Sequence, residues 1–216
     1  MKADDVARFL QDNPQFFEDY ADLLSHILIP HPHGGRTISI TERQILALRD
    51  KSKQLEAKLA EMIRFGEEND AIGEKVHKLA AALAGVRDAD AAVGTLRLHL
   101  LDNFAVPHVA LRLWDTDRGG DGPEFAPVGE TARAVASGLS HPYCGPSQGF
   151  EMVGWFGEGG ERVRSLALVA LRDEAKTFGL LALGSEDLQR FYPEMGTLYL
   201  ARIGDLASAA LARTLG

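Results

Sequence analysis

Ile45, Leu48, Ser52, Leu55, Leu59, Met62, Gly66, Asn69, Gly73, Val76, Ala80 and Leu83 follow one another at alternating steps of three and four residues. This is the spacing of a coiled-coil seam. Just before it, Thr41-Glu42-Arg43-Gln44 has the form of a capping box, with the Thr41 hydroxyl and the Gln44 side chain closing the first turn reciprocally. The spacing predicts one long helix over residues 41–84. A helix of that length with a single narrow apolar stripe has little in its own chain to bury against. A parallel two-chain coiled coil, with Ile45, Leu48, Leu55, Leu59 and Met62 as the dimer seam, is therefore favoured over a helix folded back on its own domain. Gly66, Asn69 and Gly73 interrupt the seam, and a shifted stripe of Phe65, Ile72, Val76, Leu79 and Leu83 takes over. A break or a change of partner is expected near Gly66.

Residues 1–40 form a separate segment. Val6, Phe9, Leu10, Phe16, Phe17, Leu23, Leu24 and Ile27 are interrupted by Asn13-Pro14, which predicts two or three short amphipathic helices. Pro30-His31-Pro32 ends them, and His31-Pro32-His33-Gly34-Gly35 reads as a turn-rich loop.

Residues 85–216 have a mixed pattern. Asp88 or Asp90 can cap a helix that carries Val93, Leu96, Leu98, Leu100 and Leu101 and ends before Pro107. A strand at Val109–Trp114, a glycine-bearing turn from Asp115 to Gly122, a short strand at Phe125–Val128 and a helix at Glu130–Leu139 follow. Ser165–Arg172 and Phe178–Gly184 read as two strands of an antiparallel hairpin, and Glu194–Leu215 as the closing helix. Helices segregated around an antiparallel sheet define an α+β fold.

Composition sets the function classes aside. The chain has 216 residues, 45% apolar and 25% charged, the balance of a folded domain. Its 23 Lys and Arg against 31 Asp and Glu give a net charge of −8, and none of the three regions is net basic. Nucleic acid and anionic membrane surfaces both recruit positive protein surface, so neither is expected as a partner. Apolar runs such as Leu166–Leu171 are far shorter than a membrane helix needs. The first residues lack the pattern of a secretion signal, which places the protein in the cytoplasm. A single cysteine, Cys144, excludes an internal disulfide framework.

The order helix, strand, variable middle, paired strands and closing helix resembles a GAF domain, most specifically in Ser165–Leu171 and Phe178–Ser185. Leu28–Gly35, Glu42-Arg43-Gln44, Pro142-Tyr143-Cys144-Gly145, Gly179–Ser185, Arg190-Phe191 and Met195-Gly196-Thr197 are similar to the bacterial family catalogued as domain of unknown function 484. That family joins an amino-terminal helical segment to a GAF-like domain. The resemblance implies this architecture over nearly the whole chain and names no activity.

In GAF modules the ligand sits between the sheet and the irregular middle segment, as the resemblance implies. Here the middle runs from Glu130 to Gly160 and holds Tyr143, Cys144, Phe150, Met152, Trp155 and Phe156. Apolar walls with a few polar groups suit a small ligand. Arg133 or Arg164 can meet an anionic group, and Tyr143, Ser165 and Ser185 can orient it. The plainer alternative is that the aromatics fill the core. Cys144, in the turn His141-Pro142-Tyr143-Cys144-Gly145-Pro146, lacks an evident base and a resolving partner, so a structural thiol outweighs a redox sensor or a nucleophile. His31 and His33 have no third ligand beside them for zinc. Gly157-Glu158-Gly159-Gly160 lacks the lysine of a phosphate loop and reads as a hairpin tip.

The expected protein is thus a cytoplasmic, non-catalytic, homodimeric sensory or regulatory protein. Its GAF-like domain binds a small molecule whose identity is open, as is any cofactor, and signals through the long helix to an external partner protein. The alternative, from another class, is an interaction scaffold whose pocket is filled by its own side chains. A cysteine-based redox sensor or enzyme comes third.

Overall fold

The computed structural model describes residues 2–30, 37–116 and 120–215, with side chains throughout except at 24–26, 28–30 and 37–42. The expected loop at His31–Gly35, with both its histidines, lies outside the described residues. The chain divides into two compact units, Met1–Glu67 and Glu68–Gly216.

The first unit opens with three short helices, α1 (Ala3–Asp12), α2 (Phe16–Asp19) and α3 (Ala21–His26). The Asp5 carboxylate accepts from the Lys2 amide at 2.9 Å, and the Asn13 side chain donates back to the Phe9 carbonyl at 2.9 Å, so both ends of α1 are satisfied locally. Phe16 stacks on Tyr20 with ring centroids 4.8 Å apart and meets Phe9 edge-on at 6.3 Å. Two short strands that the sequence pattern does not predict, β1 (Leu28–Pro30) and β2 (Thr37–Ser39), pair antiparallel with Leu28 opposite Ser39. No described side chain before Glu67 is buried in this unit.

Helix α4 (Ile40–Gly85) is a single helix of 46 residues. It begins one residue ahead of Thr41, so Thr41 lies inside the helix and not at its cap. The backbone does not break at Gly66, but burial changes after it. Ile45, Leu48, Leu55, Leu59 and Met62 are 46–65% exposed, whereas Val76, Leu79 and Leu83 are at most 9% exposed in the core of the second unit. The shifted stripe is therefore real from Ile72 onward, and Phe65 remains exposed.

In the second unit the Asp88 carboxylate accepts from the Ala91 amide at 2.8 Å and starts α5 (Ala89–Leu98), which runs into a π-helical turn at His99–Asn103. Four strands form one antiparallel sheet in the order β3-β6-β5-β4: β3 (His108–Leu113), β4 (Tyr143–Pro146), β5 (Ser165–Asp173) and β6 (Lys176–Ser185). β5 and β6 are joined by a two-residue turn, with Asp173 opposite Lys176, as the hairpin pattern predicts. Helix α6 (Glu130–Gly138) and the closing helix α7 (Leu198–Leu215) complete the α+β fold.

Four expectations are corrected. Residues 125–128 make no strand: Pro123–Phe125 is a 3-10 turn packed on the outer strand β3, because Pro123 suits a first helical position and gives no ladder donor. The glycines at 157–160 are no hairpin tip. They belong to a 3-10 segment, Glu151–Arg162, kinked where Gly157 takes φ +64°. Cys144 sits in the edge strand β4, not in a turn. Helix α7 also starts later than Glu194, leaving Met195 in the turn before it.

Each face of the sheet has its own core. Ala167, Val169 and Leu171 of β5 and Leu181 and Leu183 of β6, joined by Phe178 near the start of β6, pack on α5, α7 and the end of α4. Even-numbered residues, Leu166, Leu168, Leu180 and Ala182, pack on α6 and the 151–162 segment. Both faces being buried explains why the strands read as continuous apolar runs and not as alternating ones.

Candidate functional site

The two-residue period of the strands divides the predicted site residues between the two faces. Tyr143 pairs across the ladder with Leu168, and Cys144 with Ala167, so neighbours in sequence face opposite cores. Tyr143, Phe150, Met152, Trp155 and Phe156 do come together over Leu166, Leu168, Leu180 and Ala182. Cys144 lies on the helical face with Ala167 and Leu183.

The aromatic face is closely filled. Met152 is 1% exposed against Ala132 and Ala136 of α6. The Tyr143 and Phe150 rings lie 4.9 Å apart, and Phe156 approaches His108 with centroids 5.8 Å apart. Beside β3 a space of about 50 Å³, bordered by Arg112, Glu124 and Trp155 and by Val93, Leu96 and Leu111 of the helical-face core, has room for a few water molecules.

Most of the polar candidates make structural contacts. The Ser165 hydroxyl donates to the Asp187 carbonyl at 2.6 Å, and the Ser185 hydroxyl accepts from the Asp187 amide at 3.1 Å, so the two serines fix the turn after β6. The Arg133 guanidinium donates to both carboxylate oxygens of Asp115 at 3.1 Å while covering the Trp114 ring. Arg164 is exposed, and its main chain joins Ser147 to Ser185. The Tyr143 hydroxyl donates to the Pro146 carbonyl at 3.1 Å within its own strand.

Cys144 is 7% exposed, and burial pushes its thiol up to about 11. Burial also raises the Tyr143 phenol, with the neighbouring Cys144 adding to it. An activated nucleophile needs the opposite shift. Among the described residues no group of His, Cys, Asp and Glu side chains converges as a metal site, and no helix is long and apolar enough to cross a membrane.

Two arginines escape the sequence reading of this face. Arg112 lies 5.1 Å over the Trp155 ring and donates to the Leu111 carbonyl at 2.9 Å; burial lowers its basicity and Glu124 opposes the effect. Its signal was available, since Ala110 and Arg112 of β3 and Trp114 just after it alternate onto one face. Arg172 donates to the Ala136 and Leu139 carbonyls and closes the end of α6, a contact that no local pattern announces.

A sequence model described as "Protein of unknown function, DUF484" matches residues 1–215. No curated protein matches the chain. Among solved structures, free methionine-R-sulfoxide reductase from Neisseria meningitidis, in complex with its substrate, is similar at 17% identity and a TM-score of 0.47, over 66% of this chain and 89% of that one. The GAF domain of the potassium sensor histidine kinase KdpD from Escherichia coli is similar at 16% identity and a TM-score of 0.43, over 66% of this chain and 94% of that one.

Proposed function

This chain belongs to the DUF484 family, and we propose that it is a cytoplasmic, non-catalytic homodimeric regulator: the α+β unit binds a small molecule, and the long helix carries the response to a partner protein. One observation supports this most directly. Ile45, Leu48, Leu55, Leu59 and Met62 stand 46–65% exposed at seam spacing on α4. Covering such a side chain contributes about 1.5–3 kcal/mol, and a seam of this spacing is complementary to a second copy of itself. The same helix continues into the core through Val76, Leu79 and Leu83. A ligand that favours one packing of this end thereby biases the helix that bears the seam; without such a preference it would shift nothing. The 41–84 helix is in this reading the dimerisation element between a short-helix segment, 1–40, and the GAF-like domain, 85–216.

A non-catalytic role accords with a buried thiol whose proton is held more tightly than usual. The packing of Tyr143, Phe150, Met152, Trp155 and Phe156 into one cluster favours a second reading, an interaction scaffold whose exposed amino-terminal side chains, Phe9, Phe17 and Tyr20 among them, dock a partner protein.

Native mass spectrometry of the purified chain, before and after denaturation, tests both. The expected result is a dimer, converted to monomer by Leu55→Lys with Leu59→Lys, that releases a non-protein mass on denaturation. A dimer with no bound mass favours the scaffold, and a monomeric wild type removes the seam.

A further inference from the structure

A large open space among the described residues of the second unit lies on the helical face of the sheet, away from the aromatic cluster. It is a groove of about 570 Å³, within the range of roughly 300–1,000 Å³ typical of small-molecule sites. Its floor is apolar, formed by Leu100, Val106, Leu183, Phe191, Leu200 and Ile203. Its rim carries Lys75 from α4 and Arg190 from the segment before α7, with the Tyr199 hydroxyl and Asn69 beside them. In a chain of net charge −8, no carboxylate is among the lining residues described. Lys75 makes no ion pair among the described residues, and Arg190 spends one N–H on the Phe104 carbonyl, leaving the rest of its fork unassigned.

One wall of this groove departs from regular backbone. Helix α5 gives way to the π-helical turn His99–Asn103, and Ala105, a lining residue, holds φ +51°. π-Turns and positive φ outside glycine are both costly and concentrate at binding sites. Here they swing Phe104, Ala105 and Val106 around the groove in place of another helical turn.

We propose that this groove binds a small amphiphilic anion, an apolar body bearing one carboxylate or phosphate, with the body on the floor and the anionic group between Lys75 and Arg190. The inference rests on the reading of the second unit as the ligand-binding part and names the site and class of ligand. Because Asn69, Ile72 and Lys75 belong to α4, a ligand here touches the seam-bearing helix itself.

Calorimetric titration with decanoate as the probe, and decyltrimethylammonium as a cation of equal chain length, tests the assignment. The full-length protein is expected to bind one decanoate per chain and the cation at least about tenfold more weakly. Lys75→Gln should weaken decanoate about tenfold, the scale of a lost charge-assisted contact. Ile72→Trp, at a half-buried lining position on a helix, should abolish binding by filling the groove, with thermal melting confirming that both variants fold. Absence of saturable decanoate binding, equal affinity for the two probes, or indifference to both substitutions overturns the site. Light scattering on the same samples separates the two ideas. Decanoate bound without any change in association leaves the site standing and removes the signalling role, whereas a dimer that ignores decanoate does the reverse.

Discussion

The Tyr199 hydroxyl donates to the Asn69 main-chain carbonyl at 2.8 Å, joining α7 to α4 across 130 residues of sequence. Gly73 stands beside this contact, and a Cβ there would lie 3.9 Å from the same hydroxyl. Tyr199→Phe removes the bond and keeps the ring. It should cost about 1 kcal/mol, the net worth of an ordinary intramolecular hydrogen bond, read as a lower urea midpoint at unchanged slope. No change in the midpoint would mean that this contact holds the helices together no better than water does.

The Cys144 thiol should be inert. With its proton held to about 11 against an ordinary 9.0, hardly any thiolate exists in the native state at neutral pH. Alkylation by iodoacetamide should proceed only as fast as the protein opens and accelerate sharply in denaturant. Between these two values the native state keeps a proton that the unfolded chain has lost, so stability falls as pH rises from about 9 towards 11. Cys144→Ala should flatten that part of the stability profile. Rapid alkylation of the folded protein would restore the redox readings.

Gly204 brings α7 against the sheet: a Cβ at this position would stand 2.5 Å from Val169 Cγ1. Gly204→Ala should therefore destabilise by about 1–3 kcal/mol despite its better helix propensity. Adding Val169→Ala, which removes the obstructing methyl groups, should return part of that loss. A double-mutant cycle measures the recovery, and strict additivity would show that the helix simply moves away.

Gly66 gives the opposite sign. It lies in the interior of α4, and a Cβ there meets nothing within 4 Å. Gly66→Ala should stabilise the helix by about 1 kcal/mol, seen as slower amide exchange around residue 66. Unchanged or faster exchange would show that the glycine serves an arrangement of α4 other than the one described.

How much of this was legible in the sequence follows from the range of the forces involved. Strands β5 and β6, the Asp88 cap and the long α4 are specified by neighbours in sequence, and the residue patterns found them. β4 was missed because its four residues, Tyr143-Cys144-Gly145-Pro146, have no alternation of their own and become a strand only by pairing with β5. The site fared worse for a related reason. The GAF resemblance grouped Tyr143 with Cys144, Ser165 and Ser185 around one expected pocket, while the pleat sends the tyrosine to one face and the cysteine to the other, and the serine hydroxyls bond to the turn after β6. Arg112 was legible from the period of β3, but Arg172 reaches the end of α6 over more than 30 residues, a distance at which no local pattern operates.

The margins of the sheet limit the ways in which this unit can meet another protein. Its outer strand β4 closes on Pro146, which offers no amide to a neighbour, and the opposite margin, β3, lies under the Pro123–Phe125 turn. A peptide seeking to add itself as a further strand meets Pro146 at one margin and has the Pro123–Phe125 turn beside the other. Pairing along β4 is thereby cut short at Pro146, and a partner selected by binding there should present side chains or a helix to it, not an extended tail.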